Sequence, residues 1–423
     1  MKPVFRIASL NSASVVIKIL IGVISSKVLA IFIGPAGMAL AGNMRNFFNS
    51  IESISTLGLQ NGIVKYVAEA QRESERLSRI ISTVFITLII VSLFLSLGFY
   101  LFAQQLNDAV FGHSYEFASV FKIAALSLPW LAISMAIISI LNGMQLFNKV
   151  IIINIAGNIL GLLISLILVW HFRTLGALMA IVLAPAMLFF VSFYFIVKEL
   201  VPEVSISTRF FDARLLSQFS SFTLMAVVSG VAGPLTFLAI RQKVIIVVGL
   251  ESAGYWESIS RISGFYMMFL STVLSVYFLP NLSVATTRAE SRDVLREYFV
   301  LIMPFFTVGL IILYFIRDFV IRILFTPEFE PVSELFLWQL TGDFFKGCAL
   351  ILGYQLFARS MTVTFIITEL ASLTILFWLS NFLVLQIGLQ GVVLAHCINY
   401  VIYFVILCVI HRKVLISTHG KRV

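Results

Sequence analysis

Nine charged side chains stand inside long apolar stretches of this chain: Lys18, Lys27, Arg45, Glu52, Glu257, Arg261, Asp343, Lys346 and Glu369. Their spacing sorts them. Arg45 and Glu52 lie two helical turns apart, so they share a face about 10 Å apart along the axis. Glu257 and Arg261 are an i,i+4 pair with the acid first, the favourable order for a helical ion pair. Asp343 and Lys346 are i,i+3 neighbours. Lys18 and Lys27 are two and a half turns apart and point to opposite faces of one helix. Glu369 has no local partner. A guanidinium is a planar fork that grips phosphate oxygens two at a time. Intramembrane acids and lysines mark the places where a membrane protein moves or couples ions. Arg45, Lys18, Lys27 and Arg261 are therefore expected to line a polar cavity and to suit an anion there. Trp256 and Trp338 stand near them as faces for stacking a sugar, or else as buried residues or interfacial anchors. Asp343, Lys346, Glu369, Glu52 and Glu257 are expected to gate or couple an ion. A second reading stays open for Glu257–Arg261 and Asp343–Lys346, as pairs that hold helices together. His396 is expected to be a hydrogen-bonded packing residue.

The elements that carry these charges must be membrane helices. Of 423 residues, 60% are apolar and 12% charged, against roughly 25% charged in a soluble domain. Too few charges remain to coat a soluble surface, which excludes a water-soluble enzyme, a disordered chain and a disulfide scaffold. The three cysteines, Cys348, Cys397 and Cys408, sit in apolar runs without metal-ligand spacing. No Walker A loop, H-E-x-x-H or nucleophile elbow is present. The chain is thus expected to be a carrier and not an enzyme, with no cofactor or metal beyond a coupling proton or sodium ion. The net charge of +9 fits basic cytoplasmic loops better than nucleic acid.

Apolar windows recur near 9–33, 38–66, 79–103, 117–142, 149–171, 174–197, 214–240, 252–279, 297–316, 332–357, 361–380 and 388–410. The first is too long for a signal peptide and is read as a retained span. Of the 29 lysines and arginines, 18 fall on the side of the termini and the even-numbered loops, 6 on the other side and 5 inside spans. The positive-inside rule then places both termini in the cytoplasm. The halves resemble each other. Gly-Pro-Ala-Gly at 34–37 answers Glu-Ser-Ala-Gly at 251–254, Arg45 answers Arg261, Gln145-Leu-Phe147 answers Gln355-Leu-Phe357, and Gly176 with Ala180 answers Gly391 with Ala395. The expected fold is an all-α polytopic membrane protein of about twelve helices in two pseudo-symmetric six-helix lobes. These are residues 1–198 and 214–423, joined by a cytoplasmic linker at 199–213. Gly230, Gly233 and Pro234 loosen the seventh span, as a hinge or a static kink.

Several stretches carry a family resemblance. They are Gly34-Pro-Ala-Gly37 through Arg45, Leu57-Gly58 to Lys65-Tyr66, Phe222-Thr-Leu-Met-Ala226, Leu279-Pro280, and Leu335-Phe-Leu-Trp-Gln-Leu-Thr-Gly-Asp343 with Lys346. Together they resemble the bacterial O-antigen and enterobacterial common antigen (lipid III) flippase family. That family is the polysaccharide-transport branch of the multidrug/oligosaccharidyl-lipid/polysaccharide exporter superfamily. The resemblance implies a multidrug-exporter-like fold in the bacterial inner membrane. It implies transport of an undecaprenyl-pyrophosphate-linked oligosaccharide from the inner to the outer leaflet by alternating access. It also implies work beside a glycan polymerase and a chain-length regulator. Arg261 departs from the family pattern, so its role rests on internal symmetry. Two rival readings remain: a cation-coupled multidrug exporter of the same fold, and a membrane-embedded glycan transferase or polymerase. The two span-1 lysines argue against the first, and the missing catalytic constellation argues against the second. The topology is testable: cysteines placed at Ser74 and Ser291 should both resist an impermeant thiol reagent added outside intact cells. External labelling at either would break the twelve-span arrangement.

Overall fold

The computed structural model describes residues 2–71, 73–200, 206–359 and 361–415, and the described chain is helical throughout, with no strand. Its α-helices are α1 (Lys2–Ser55), α2 (Gln60–Ala70), α3 (Ser74–Leu101), α4 (Ala103–Phe111), α5 (Ala118–Gly143) and α6 (Phe147–Leu200). After them come α7 (Ala213–Val247), α8 (Leu250–Val273), α9 (Leu279–Val284), α10 (Arg288–Glu297) and α11 (Met303–Phe315). The last are α12 (Arg317–Leu324), α13 (Phe336–Ala358), α14 (Thr362–Ile387), α15 (Gln390–Ile410) and α16 (Arg412–Leu415). Short π-helical turns at Leu274–Phe278 and Tyr298–Ile302 join α8 to α9 and α10 to α11. Pro280 and Pro304 follow these turns, where each lacks the N–H that a regular ladder needs.

Ten apolar helical segments are long enough to cross a bilayer among the described residues. Two of them are double. α1 breaks at Gly34 (φ 60°, ψ −170°) and α6 at Arg173 (φ 52°, ψ −124°). In α6 the chain reverses there: a Cβ on Gly157 would meet Leu188, and one on Gly161 would meet Ala184. Both pairs are centred on the break, as an antiparallel hairpin requires, and the Gly-x-x-x-Gly spacing lets its arms approach closely. Two double segments and eight single ones give the twelve crossings.

The duplication is written in the backbone. Gly34 and Gly249 both have positive φ, as do Arg173 and Gly388. A Cβ on Gly176 would collide with the carbonyl of Leu168, and one on Gly391 with that of Leu383. Every one of these pairs is 215 residues apart. That register departs from three of the four sequence matches, which lie 217, 216 and 210 residues apart, and it matters most at Arg45. Adding 215 to Arg45 reaches Ser260, not Arg261, and one residue is a turn of about 100° around a helix. The symmetry argument for Arg261 therefore fails, because the two arginines leave their helices on different faces.

By packing, the chain forms two compact units, Met1–Ile33 with Leu40–Leu238, and Gly34–Ala39 with Ala239–Val423. In the first, Leu59, Ile63, Leu77, Ile81, Ile137, Ile140 and Ile153 form a core joining α2, α3, α5 and α6. A Cβ on Gly58 would strike Ala226, and one on Gly230 would strike Ser53, so the start of α7 packs with this unit. In the second, the carbonyl of Pro35 lies where a Cβ on Gly254 would stand, so the residues after Gly34 pack with α8. Residues 201–205 of the expected linker 199–213 lie outside the described residues. Its later part docks on α3: the Ser207 and Asp212 amides donate to Ser82 Oγ (3.2 Å) and Thr83 Oγ1 (3.0 Å).

Two expectations change. α7 runs to Val247, because the chain bends at Gly249 and not near residue 241, so Arg241 and Lys243 are helical rather than loop residues. Ser291 is fully buried and accepts from Arg359 Nη2 at 2.7 Å; exposed Asp293 is the position for a labelling cysteine on that loop. Arg173 occupies a conformation its repeat partner fills with glycine, and such strain costs about 1–3 kcal/mol. Its guanidinium recovers part of this over the Phe32 ring, 5.0 Å away. Arg173→Gly is expected to raise the unfolding temperature in detergent. An unchanged or lowered temperature would mean that the cation–π contact outweighs the strain.

Candidate functional site

The densest polar cluster lies in the second unit and centres on Asp343, which is fully buried in α13. Four groups donate to its carboxylate: Ser263 Oγ at 2.7 Å and Tyr266 OH at 2.5 Å from α8, Gln339 Nε2 at 3.1 Å, and His396 Nε2 at 3.0 Å from α15. Gln339 Nε2 also lies 3.3 Å from His396 Nε2. Helical spacing explains the assembly. Ser263 and Tyr266 are i,i+3, and Gln339 and Asp343 are i,i+4, so each helix offers two polar groups on one face. Gly342 allows the approach of α15: a Cβ there would lie 2.4 Å from the His396 ring.

Lys346 forms no direct ion pair with Asp343, which corrects the expected i,i+3 contact. Asp343 is saturated by its four donors, and the Lys346 ammonium instead sits over the Tyr400 ring, 5.2 Å from its centre. The charges still act on each other across that gap, and Glu369 acts on Lys346 as well. Glu369, without a partner on its own helix, accepts from Tyr403 OH at 3.5 Å. Asp343, Lys346, Glu369 and His396 thus belong to one network across α8, α13, α14 and α15. The tyrosines and Gln339 that complete it have no charge to draw attention in the sequence. The i,i+4 spacing of His396 with Tyr400 is the signal that was available.

A second cluster joins α7 and α8. Glu257 gives one carboxylate oxygen to Arg241 Nη2 at 2.6 Å and the other to Arg261 Nε at 3.2 Å. Arg241 is 1% exposed, and its guanidinium stacks on Trp256 at 5.1 Å. Trp256 is itself 3% exposed, which is its buried alternative and not a sugar-stacking face: the core closes its edges and Arg241 takes its ring. The predicted Glu257–Arg261 pair is present, extended by an arginine that sequence reading placed in a loop. Trp338 is 37% exposed, and five residues of helix turn it about 140° away from Asp343.

In the first unit, the reversal at Gly34 places Lys18 and Glu52 at matching depths, about 24 and 27 Å along their arms, and their charges interact. Lys18 is exposed, while Lys27, Arg45 and Glu52 are half-buried. Gly230, Gly233 and Pro234 lie inside one continuous α7. Gly230 serves close packing on Ser53, whereas the space beside Gly233 is open.

Exchanging charges in Asp343→Lys/Lys346→Asp puts an ammonium among three or four donors. The double variant is expected to lose about 3–5 kcal/mol, the scale of an uncompensated buried charge, seen as a lower unfolding temperature than that of Asp343→Asn. Wild-type stability in the exchanged protein would establish a direct, symmetric pair.

Residues 5–286 match the family described as polysaccharide biosynthesis protein. The chain is 28% identical over 409 residues to the lipid III flippase of Escherichia coli (strain K12), covering 94% of this chain and 95% of that one. Its fold is similar to an inward-facing multidrug resistance MATE family transporter of the MOP superfamily, with TM-score 0.81 and 12% identity over 95% of this chain and 96% of the other. It is also similar to the lipid II flippase MurJ in an inward closed conformation, with TM-score 0.75 and 16% identity over 97% and 90% of the two chains. At those identities the likeness is one of fold: an all-α polytopic membrane protein in two pseudo-symmetric six-helix lobes. The family match takes in more than half of the sequence, so the chain belongs to the polysaccharide biosynthesis protein family.

Proposed function

We propose that this protein is a flippase, not an enzyme. It carries an undecaprenyl-pyrophosphate-linked oligosaccharide from the inner to the outer leaflet of the bacterial inner membrane by alternating access, with both termini cytoplasmic. The observation that carries this reading is the 28% identity to a lipid III flippase over nearly the full length of both chains. The likeness to MATE transporters is one of fold and says nothing about cargo.

The chemistry of the first unit supports an anionic head group. Lys18, Lys27 and Arg45 bring three cations to the two arms of α1 against one acid, Glu52. Arg45 is the guanidinium fork for pyrophosphate, and Lys18 and Lys27 assist it as point charges. In the second unit Arg261 stays with its partner Glu257, and Trp338 is a face for the glycan. The Asp343, Lys346 and Glu369 network is the place for gating or for coupling to a proton or sodium ion. The six-helix repeats 1–198 and 214–423 are the lobes, and the glycan polymerase and chain-length regulator are the partners.

The test is reconstitution into liposomes with defined lipid-linked oligosaccharides, scoring appearance of the glycan on the far leaflet. Arg45→Ala should cut the rate about tenfold or more, the scale of a lost charge-assisted hydrogen bond, and Arg45→Lys should recover only part. Full activity in Arg45→Ala would remove Arg45 from the head-group site. Export of cationic drugs with no glycan movement would replace the flippase by a multidrug exporter.

A further inference from the structure

The second unit carries a furrow that the proposed transport does not use. It is a cavity of about 360 Å³ between α11 and α13. Thr307, Leu310, Ile311 and Tyr314 line it from α11, and Leu340 and Phe344 from α13. On each helix these positions recur at three and four residues, so two whole helix faces look at each other across the gap. The furrow opens to the hydrocarbon: Ile311 is 51% exposed, and Phe315, at its end, 76%. Its threonine hydroxyls are already satisfied within their own helices. Thr307 Oγ1 donates to the Met303 carbonyl and Thr341 Oγ1 to that of Leu337, both at 2.7 Å. Apart from the Tyr314 hydroxyl at one end, the lining is apolar or internally satisfied, so its chemistry fits a hydrocarbon chain.

The end of the furrow is different. α11 stops at Ile316, whose φ of −98° and ψ of 12° leave the helix. α12 then presents exposed Phe319 and Ile323 together with exposed Arg322 and one exposed acid, Asp318. A short helix with apolar and charged exposed sides is the kind that lies in the membrane interface. Tyr314 stands at this end, where an aromatic belt would put it. At the junction is Arg317. Its guanidinium stacks on the Tyr314 ring at 4.6 Å and donates from Nη1 to the Tyr314 carbonyl at 2.9 Å. Neither contact is with a carboxylate, and no acid pairs with Arg317 among the described residues. From Thr307 to Phe315 the furrow runs about 12 Å, most of the roughly 15 Å of one leaflet's hydrocarbon.

We propose that this furrow binds an anionic phospholipid, with one acyl chain between α11 and α13 and its phosphate on Arg317. The chain enters sideways without leaving its leaflet, and the second acyl chain stays in the bilayer. Phospholipid fills the leaflet beside the opening, so modest affinity suffices for occupancy. The cation at head-group depth favours an anionic lipid over a zwitterionic one by about fivefold, the scale of one arginine near a charged membrane surface.

The experiment is native mass spectrometry of the full-length protein, titrated with phosphatidylglycerol or phosphatidylcholine of the same chains. Wild-type protein should retain phosphatidylglycerol about fivefold better. Arg317→Gln should bring the two lipids level, and Arg317→Lys should keep most of the preference. Ile311→Trp, which fills the furrow, should lower both lipids alike; Thr341→Phe serves as a second filler if the first does not fold. An undiminished preference in Arg317→Gln, or undiminished lipid retention in a filled variant with a wild-type gel-filtration profile, would overturn the proposal. Displacement of phosphatidylglycerol by equimolar undecaprenyl phosphate, blocked by the same fillers, would also overturn it, by giving the furrow to an isoprenoid chain.

Discussion

A charge placed in hydrocarbon costs at least about 2.5–3.5 kcal/mol, and this cost organises the interior of the protein. Each acid within the spans has a counterpart from another helix, or from another arm of the same hairpin. Glu257 divides its oxygens between Arg241 and Arg261. Asp343 is wrapped by four donors from three helices. Glu369 meets a tyrosine of α15, and Glu52 faces the charge of Lys18 across the turn at Gly34. These contacts fix which faces of α7, α8, α13, α14 and α15 meet, in segments where the surrounding apolar residues could pack on any side.

The same fold is built twice, and the backbone keeps the record better than the side chains do. Left-handed residues recur at Gly34 and Gly249 and at Arg173 and Gly388, and the close approach at Gly176 recurs at Gly391. Bends of this kind are set by sterics, which admit few solutions for reversing a helix in a short distance. Polar content has diverged. Within the membrane the first unit carries Lys18, Lys27 and Arg45 against Glu52, while the second carries two compact, hydrogen-bonded clusters. Such a division gives one half a surface suited to an anion and the other a set of titratable groups held in fixed geometry.

Burial also redistributes roles that residue type alone suggests. Trp256 has the chemistry of a sugar platform, yet its face is taken by Arg241 and its edges by the core. Lys346 follows Asp343 by three residues, yet it rests on Tyr400, because four stronger geometric fits already fill the carboxylate. Arg241 lies one residue past the end of an apolar window, and the continuation of α7 to Val247 carries it into the core.

The sequence by itself determined the membrane class, the number of crossings, the six-plus-six duplication and most of the intramembrane charges, Arg241 being the exception. Each of these follows from local quantities: apolar run length against bilayer thickness, residue type, and recurrence along the chain. It also determined the Glu257–Arg261 contact, since an i,i+4 spacing is geometry within one helix. Only the tertiary structure decided what lies opposite each charge. His396, Tyr266 and Ser263 reach Asp343 from helices 53 to 80 residues away in the chain, and nothing in their local spacing names that target. The repeat register needed it too: a shift of one residue is invisible in a weak alignment but turns a side chain by about 100°. Packing chooses among helix faces through contacts between distant segments, and that choice is what a one-dimensional pattern does not contain.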